Sequence, residues 1–182
     1  MEPLRQEHAR GVFEAAKFTD WQRTLGALRS MEDVDRRIAE GLEAEAKGDA
    51  YAFAVMFRGS GKVIGSTSYL AISSKHKRAE IGSTWYAKEV WGTAVNPECK
   101  YLLLRHAFED WGAVRIQFVT DINNLHSQGA IQKLGAKPEG TLRNYGVRPD
   151  GTAREAVRIY SIIASEWTGV KQKLELRLLR FR

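Results

Sequence analysis

The chain has 182 residues, about the length of one domain, and its 43% apolar and 27% charged residues exclude wholesale disorder. No apolar run approaches the roughly 18–20 residues needed to span a bilayer, and the opening MEPLRQEHARG lacks a basic-then-apolar export signal. A cytoplasmic protein acting away from membranes is therefore expected. The net charge of +6 suits an anionic ligand, a nucleic acid or simple solubility, and does not separate them.

MEPL reads as a short first strand. Residues 7–17 and 31–47 read as helices; the second has Ser30 as N-cap, Asp33 three residues on, and Val34, Ile38 and Leu42 on one face. YAFAVMF (51–57), the turn signal RGSG and KVIGSTSYLAI (62–72) predict a hairpin, and AEIGSTWYA (79–87) predicts a further strand. A loop with Gly92 and Ala94 then runs past Pro97 into a helix over about 97–111. Two stripes on it, Cys99–Leu102–Leu103–His106 and Tyr101–Leu104–Phe108–Trp111, predict burial on both sides.

VRIQFVT (114–120) alternates as a strand, and 124–134 reads as a helix stopped by Gly135. GTLRNYGVR and TAREAVRIYSII flank PDG, a turn signal that predicts a long hairpin. The closing helix, about 165–181, places Trp167, Val170, Leu174, Leu178 and Phe181 on one stripe, with Lys171, Lys173, Arg177, Arg180 and Arg182 on a wet face. No repeat, low-complexity tract or linker interrupts the chain, which predicts one domain over 1–182 with the last helix packed on it. A strand–helix–strand inside an otherwise antiparallel run predicts an α/β (α+β) fold with a mixed sheet and a local parallel pair.

Cys99 is the only cysteine, so no intrachain disulfide can form; a small apolar filler in a buried helix is the expected role. His8, His76, His106 and His126 are scattered without ligand spacing, so no metal is expected. The loop around Gly92 admits two readings. Helix-start N–H groups carry partial positive charge and small residues let backbone approach a ligand, so it can cradle phosphate. It can equally be a tight corner into a buried helix.

EIGSTWYAKEVWGTAVNPECKYLLLRHAFE, followed by NNLHSQGAIQKLGAKPEGTLR, resembles the GNAT superfamily of acetyl-CoA-dependent N-acetyltransferases. Within it the chain is similar to the branch containing ribosomal-protein alanine N-acetyltransferases, over nearly its whole length. The superfamily's phosphate loop, Gln/Arg-x-x-Gly-x-Gly/Ala, aligns with Glu89, Val90, Trp91, Gly92, Thr93 and Ala94. The branch's Trp-Gly pair is Trp91-Gly92, its Asn-x-x-Ser helix start is Asn124 and Ser127, and its Glu-Gly-x-x-Arg ending is Glu139, Gly140 and Arg143.

The resemblance implies a mainly antiparallel twisted sheet with helices on both faces and a splayed central parallel pair. It implies acetyl-CoA as cosubstrate, its pyrophosphate on Trp91, Gly92, Thr93, Ala94, Val95 and Asn96. Trp85, Tyr86 and Ala87 would lie beside the thioester arm and offer a backbone oxyanion donor, with Ser127 near the leaving sulfur and Asn124 also binding the cofactor; the alternative role of Ser127 is a cap bond with Asn124. Glu89 replaces a polar or basic residue, so its side chain is expected to point away. Ala136 stands where an aromatic often follows the glycine, Ile131 where many members carry a tyrosine acid, and Gly146 where a base glutamate is expected.

Among these residues the candidates for proton transfer are Glu80, Ser127 and Tyr145, while His126 reads as an exposed helix position; proximity of the substrates can supply much of the rate. Lys88, Lys100, Arg105 and Lys133 flank the implied cofactor groove. The resemblance implies a primary amine as acceptor, either a protein N-terminus or a small molecule, and a homodimer stays open. The missing tyrosine and glutamate leave a non-catalytic acyl-CoA-binding protein as the alternative. Nucleic-acid binding rests on charge alone, without a reading motif.

Overall fold

In the computed structural model, which describes residues 1–17, 28–147 and 151–181, the chain opens with β1 (Glu2–Pro3), cut to two residues of the expected MEPL strand. Pro149 and Asp150 of the expected turn, and Arg182 of the basic stripe, lie outside the described residues. Two units are distinguished: Met1–Ile72 with Ile81–Asn96, and Ser73–Glu80 with Pro97–Arg182.

In the first unit a 3-10 turn (Gln6–His8) leads into α1 (Ala9–Ala16), so the α-helix begins two residues later than the pattern suggests. α2 (Met31–Ala46) starts as its sequence predicts. Ser30 Oγ accepts from the Asp33 N–H at 3.1 Å, and the Asp33 carboxylate accepts from the N–H groups of Ser30 and Arg29 at the same distance. This reciprocal cap satisfies N–H groups that a helix start leaves without partners. β2 (Tyr51–Met56) and β3 (Val63–Ser73) form the expected hairpin, with a bulge at Val55/Met56. Leu4, Val12, Val34, Ile38, Ala54 and Val63 make the core, with Leu42 and Trp85 packed on it.

β4 (Arg78–Tyr86) begins in the second unit and ends in the first. Its end lies close against β3. A Cβ on Gly65 would fall 2.4 Å from the Trp85 carbonyl oxygen, so only glycine permits this approach. The Ala87 N–H donates to the Ile64 carbonyl at 2.8 Å beside it.

In the second unit, α3 (Val95–Arg105) is extended by a π-helical turn over His106–Asp110. The expectation of two buried sides is not met: Leu102 and His106 are exposed. Cys99, Lys100, Leu103, Leu104 and Ala107 are buried instead, and at 3.6 residues per turn they form one broad arc with Lys100 inside it. Phe108 stacks on Trp167 with ring centroids 5.4 Å apart, and Trp167 Nε1 donates to Glu109 at 2.9 Å.

β5 (Arg115–Asp121) is followed by α4 (Leu125–Gln132), which Gly135, at φ +98°, terminates. β6 (Lys137–Arg143) and β7 (Ala156–Ile163) form the closing hairpin, shifted from its expected bounds. β6 stops at Arg143 because Asn144 takes φ +50° and turns the chain, a conformation asparagine tolerates better than most residues. α5 (Trp167–Leu179) buries Trp167, Val170 and Leu174, while Phe181 lies past the helix end and is 44% exposed, outside the expected stripe.

The strand order is β1-β2-β3-β4-β5-β7-β6. β4 and β5 are the parallel pair, joined over Arg78↔Arg115, Ala79↔Ile116 and Glu80↔Gln117. The ladder stops there, although β4 continues to Tyr86 and β5 to Asp121. Among the described residues no helix is long and apolar enough to cross a membrane.

Candidate active site

The loop after β4 is braced by its own residues. Ser83, inside β4, takes φ +46°, a left-handed value uncommon for a residue other than glycine. Trp91 Nε1 then donates to the Tyr86 carbonyl at 2.9 Å, tying loop to strand end. Gly92 sits at φ +76° with open space where a Cβ would be, so backbone conformation rather than crowding calls for glycine. Thr93 Oγ1 donates to the Val90 carbonyl at 2.7 Å and accepts from the Val95 N–H at 3.3 Å. Glu89 is turned onto Lys62, whose Nζ donates to its carboxylate at 2.7 Å, which accounts for an acidic residue at the head of this loop.

The other candidates lie in the second unit. Glu80 is half-buried and accepts from Gln117 Nε2 at 3.1 Å. Burial raises its pKa above the usual carboxylate value, opposed by the Gln117 hydrogen bond and the positive charge of Arg154. Arg154 also faces Asp121, with Nε 3.8 Å from Oδ2. Asn124 caps α4, its side chain accepting from the Ser127 N–H at 3.1 Å. The cap therefore uses the backbone of Ser127, and among the described residues its hydroxyl makes no hydrogen bond. The next residue, Gln128, is buried and bonded to the turn before it and to β7.

Tyr145 is 49% exposed, and among the described residues it makes no hydrogen bond to Glu80 or Ser127. Glu139 lies at the β6 bulge between Pro138 and Gly140, out of the ladder. From there it reaches Arg115, which grips both its oxygens, and accepts from Ser161 Oγ at 2.6 Å. These bonds, Arg115 first, hold its pKa at about 2. The Glu139-Gly140 pair thus links β6, β7 and β5.

Lys88, Arg105 and Lys133 are exposed, as is His126, but Lys100 is not a surface charge. It is 5% exposed, and burial depresses its pKa to about 7, opposed by Cys99. Cys99 is buried, and His8 is buried too, its Nδ1 accepting from the Arg5 N–H. Among the described residues no group of three His, Cys, Asp or Glu side chains is placed to hold a metal ion. Sequence reasoning missed Gln117, Gln128 and Arg154. Only Gln117 carried a usable signal, its polar place in an alternating strand.

Residues 1–137 match the family model described as the acetyltransferase (GNAT) domain. The chain belongs to the GNAT acetyltransferases. A provisionally assigned acetyltransferase from T. thermophilus is 35% identical, with a TM-score of 0.86 over 97% of this chain and 92% of that one. A GCN5-related N-acetyltransferase from Brucella melitensis is 23% identical, with a TM-score of 0.88 over 97% and 80%. Mycobacterium smegmatis RimJ in complex with CoA-disulfide is 17% identical, with a TM-score of 0.77 over 96% and 87%. No protein of curated function matches the sequence. As a GNAT enzyme the protein is an N-acetyltransferase, and the family's acetyl donor is acetyl-CoA.

Proposed function

We propose that this GNAT enzyme acetylates the primary amine of a protein N-terminus in the cytoplasm, with Glu80 receiving the amine's proton directly or through water. The observation that carries the amine reading is Glu80: a half-buried carboxylate, oriented by Gln117, whose raised pKa makes it a better proton acceptor than an ordinary surface glutamate. The protein N-terminus is supported by the resemblance of the Trp91-Gly92, Asn124-x-x-Ser127 and Glu139-Gly140-x-x-Arg143 motifs to the ribosomal-protein branch.

In this reading backbone N–H groups of the loop over 91–96, those of Gly92, Ala94 and Asn96, hold the pyrophosphate of acetyl-CoA. The neutral amine attacks the thioester carbonyl; a C–N bond forms and the C–S bond breaks. A backbone N–H of Trp85 or Tyr86, at the end of β4, steadies the oxyanion, an interaction worth roughly 3 kcal/mol of barrier. Ser127 donates its hydroxyl to the departing thiolate, and Tyr145 lines the acceptor side.

A thiol-release assay with acetyl-CoA, N-terminal peptides and small amines tests the acceptor. Turnover on peptides is expected. Turnover confined to small amines would move the acceptor class, and CoA binding without any turnover would remove the enzyme reading. Ser127→Ala tests the leaving-group role: kcat should fall about 5- to 150-fold, with the KM for acetyl-CoA nearly unchanged. The melting temperature should hold, because the cap needs only the Ser127 backbone.

A further inference from the structure

We infer that Gln128 is the positioning residue for Ser127, locking the turn that carries it to β7. The inference rests on the sulfur-side role proposed for Ser127.

Gln128 is 6% exposed. A side chain at such a place need only be apolar to fill space, and a buried amide is costly unless its polar atoms are bonded. Here both ends of the amide are engaged. Nε2 donates to the Ile122 carbonyl at 2.7 Å and, more weakly, to the Asp121 carbonyl at 3.4 Å. Oε1 accepts from Arg158 Nη1 at 3.2 Å and from the Tyr160 hydroxyl at 3.4 Å. One amide therefore joins the turn's carbonyls to two side chains of β7.

That turn is the one that sets Ser127. The Asn124 N–H donates to the Asp121 carbonyl at 3.0 Å, and Asn124 then accepts from the Ser127 N–H. Ser127 is thus held from both sides: its own N–H by Asn124, and the next residue by Gln128. A fully bonded buried polar side chain fixes one arrangement where an apolar one tolerates several. A hydroxyl that must meet a developing thiolate needs this, since a displacement of about 1 Å can cost roughly 100-fold in rate.

The test is a double-mutant cycle of Gln128→Met with Ser127→Ala, in the full-length enzyme with acetyl-CoA and its best acceptor. Methionine keeps the volume and removes the amide. Gln128→Met alone should lower kcat roughly tenfold and leave the KM for acetyl-CoA within about twofold. In the Ser127→Ala background the same substitution should change kcat by less than about twofold, because its effect passes through a hydroxyl already absent. Tyr160→Phe, a change of one atom, covers the case where Gln128→Met folds poorly. It should give a smaller kcat loss, again absent in the Ser127→Ala background. Losses that multiply, with Ser127→Ala itself impaired, would overturn the positioning role and leave that of Ser127 intact. Wild-type turnover in Ser127→Ala alone would remove the role of Ser127 and the inference with it.

Discussion

The loop over 91–96 and the turn over 121–128 both run into a helix start, yet they are built by opposite means. The first is held by backbone and by side chains of the loop itself: Gly92 at φ +76°, Thr93 bonded to Val90 and Val95, and Trp91 folded back on Tyr86. The second is held by a buried amide and partners at least 30 residues away. A backbone-built loop depends on conformation and tolerates changes of side chain. A side-chain-built turn depends on specific atoms and tolerates changes of conformation poorly. Mutations should separate the two.

The largest effect should come where burial overrides nearness to the loop, at Lys100. Its pKa is about 7 in the folded chain against 10.5 for a free lysine, so between these values the unfolded chain holds a proton that the folded one lacks. Stability should therefore rise with pH through this window, by roughly 1.4 kcal/mol per pH unit from this group. Lys100→Met should flatten that rise, measured as urea midpoints at about pH 7.5 and 9.5. Parallel curves for mutant and wild type would mean Lys100 is solvated and belongs with the loop's surface charges.

Next comes Gly92. Valine at a positive φ is strained by roughly 1–2 kcal/mol or more, while asparagine adopts such angles more readily. Calorimetry should show Gly92→Val weakening CoA binding about tenfold or more and Gly92→Asn weakening it far less. Equal affinities for both mutants and wild type would remove the backbone cradle from the comparison.

Asn124→Ala removes the α4 cap and should cost about 1 kcal/mol of stability, visible in thermal melts. It should also lower kcat, since the same bond sets Ser127; a stability loss with wild-type kcat would make the turn merely structural. The smallest effect concerns Glu80. Gln117→Leu removes a hydrogen bond that lowers its pKa, so that pKa should rise further. A base works when deprotonated, so the acid limb of kcat/KM should move to higher pH. An unmoved limb would assign it to another group.

The loop was legible and the turn was not, for a physical reason. Gly92, Ala94 and the following helix are neighbours in the chain, as are Ser30 and Asp33, whose cap formed as read. Asn124 and Ser127 were also readable as a pair. Gln128 reads as one more polar residue on a short helix, because its partners Arg158 and Tyr160 arrive through strand pairing. The helix over 95–110 shows the same limit from the other side. Its apolar residues suggested two buried stripes, but which arc is covered depends on what packs there, and that arc includes Lys100.

By itself the sequence determined the features that close within a few residues: the cap of α2, the β2–β3 hairpin, the glycine-dependent loop and the stop at Gly135. Such features depend on local hydrogen bonds, allowed φ values and side-chain period, all of which a short window contains. Only the tertiary structure decided the register that sets Glu80 opposite Gln117, the burial that depresses Lys100, the reach of Glu139 to Arg115, and the bonds that fix Gln128. Each of these is a matter of dielectric or of a partner brought from far along the chain, and neither exists until the strands have paired.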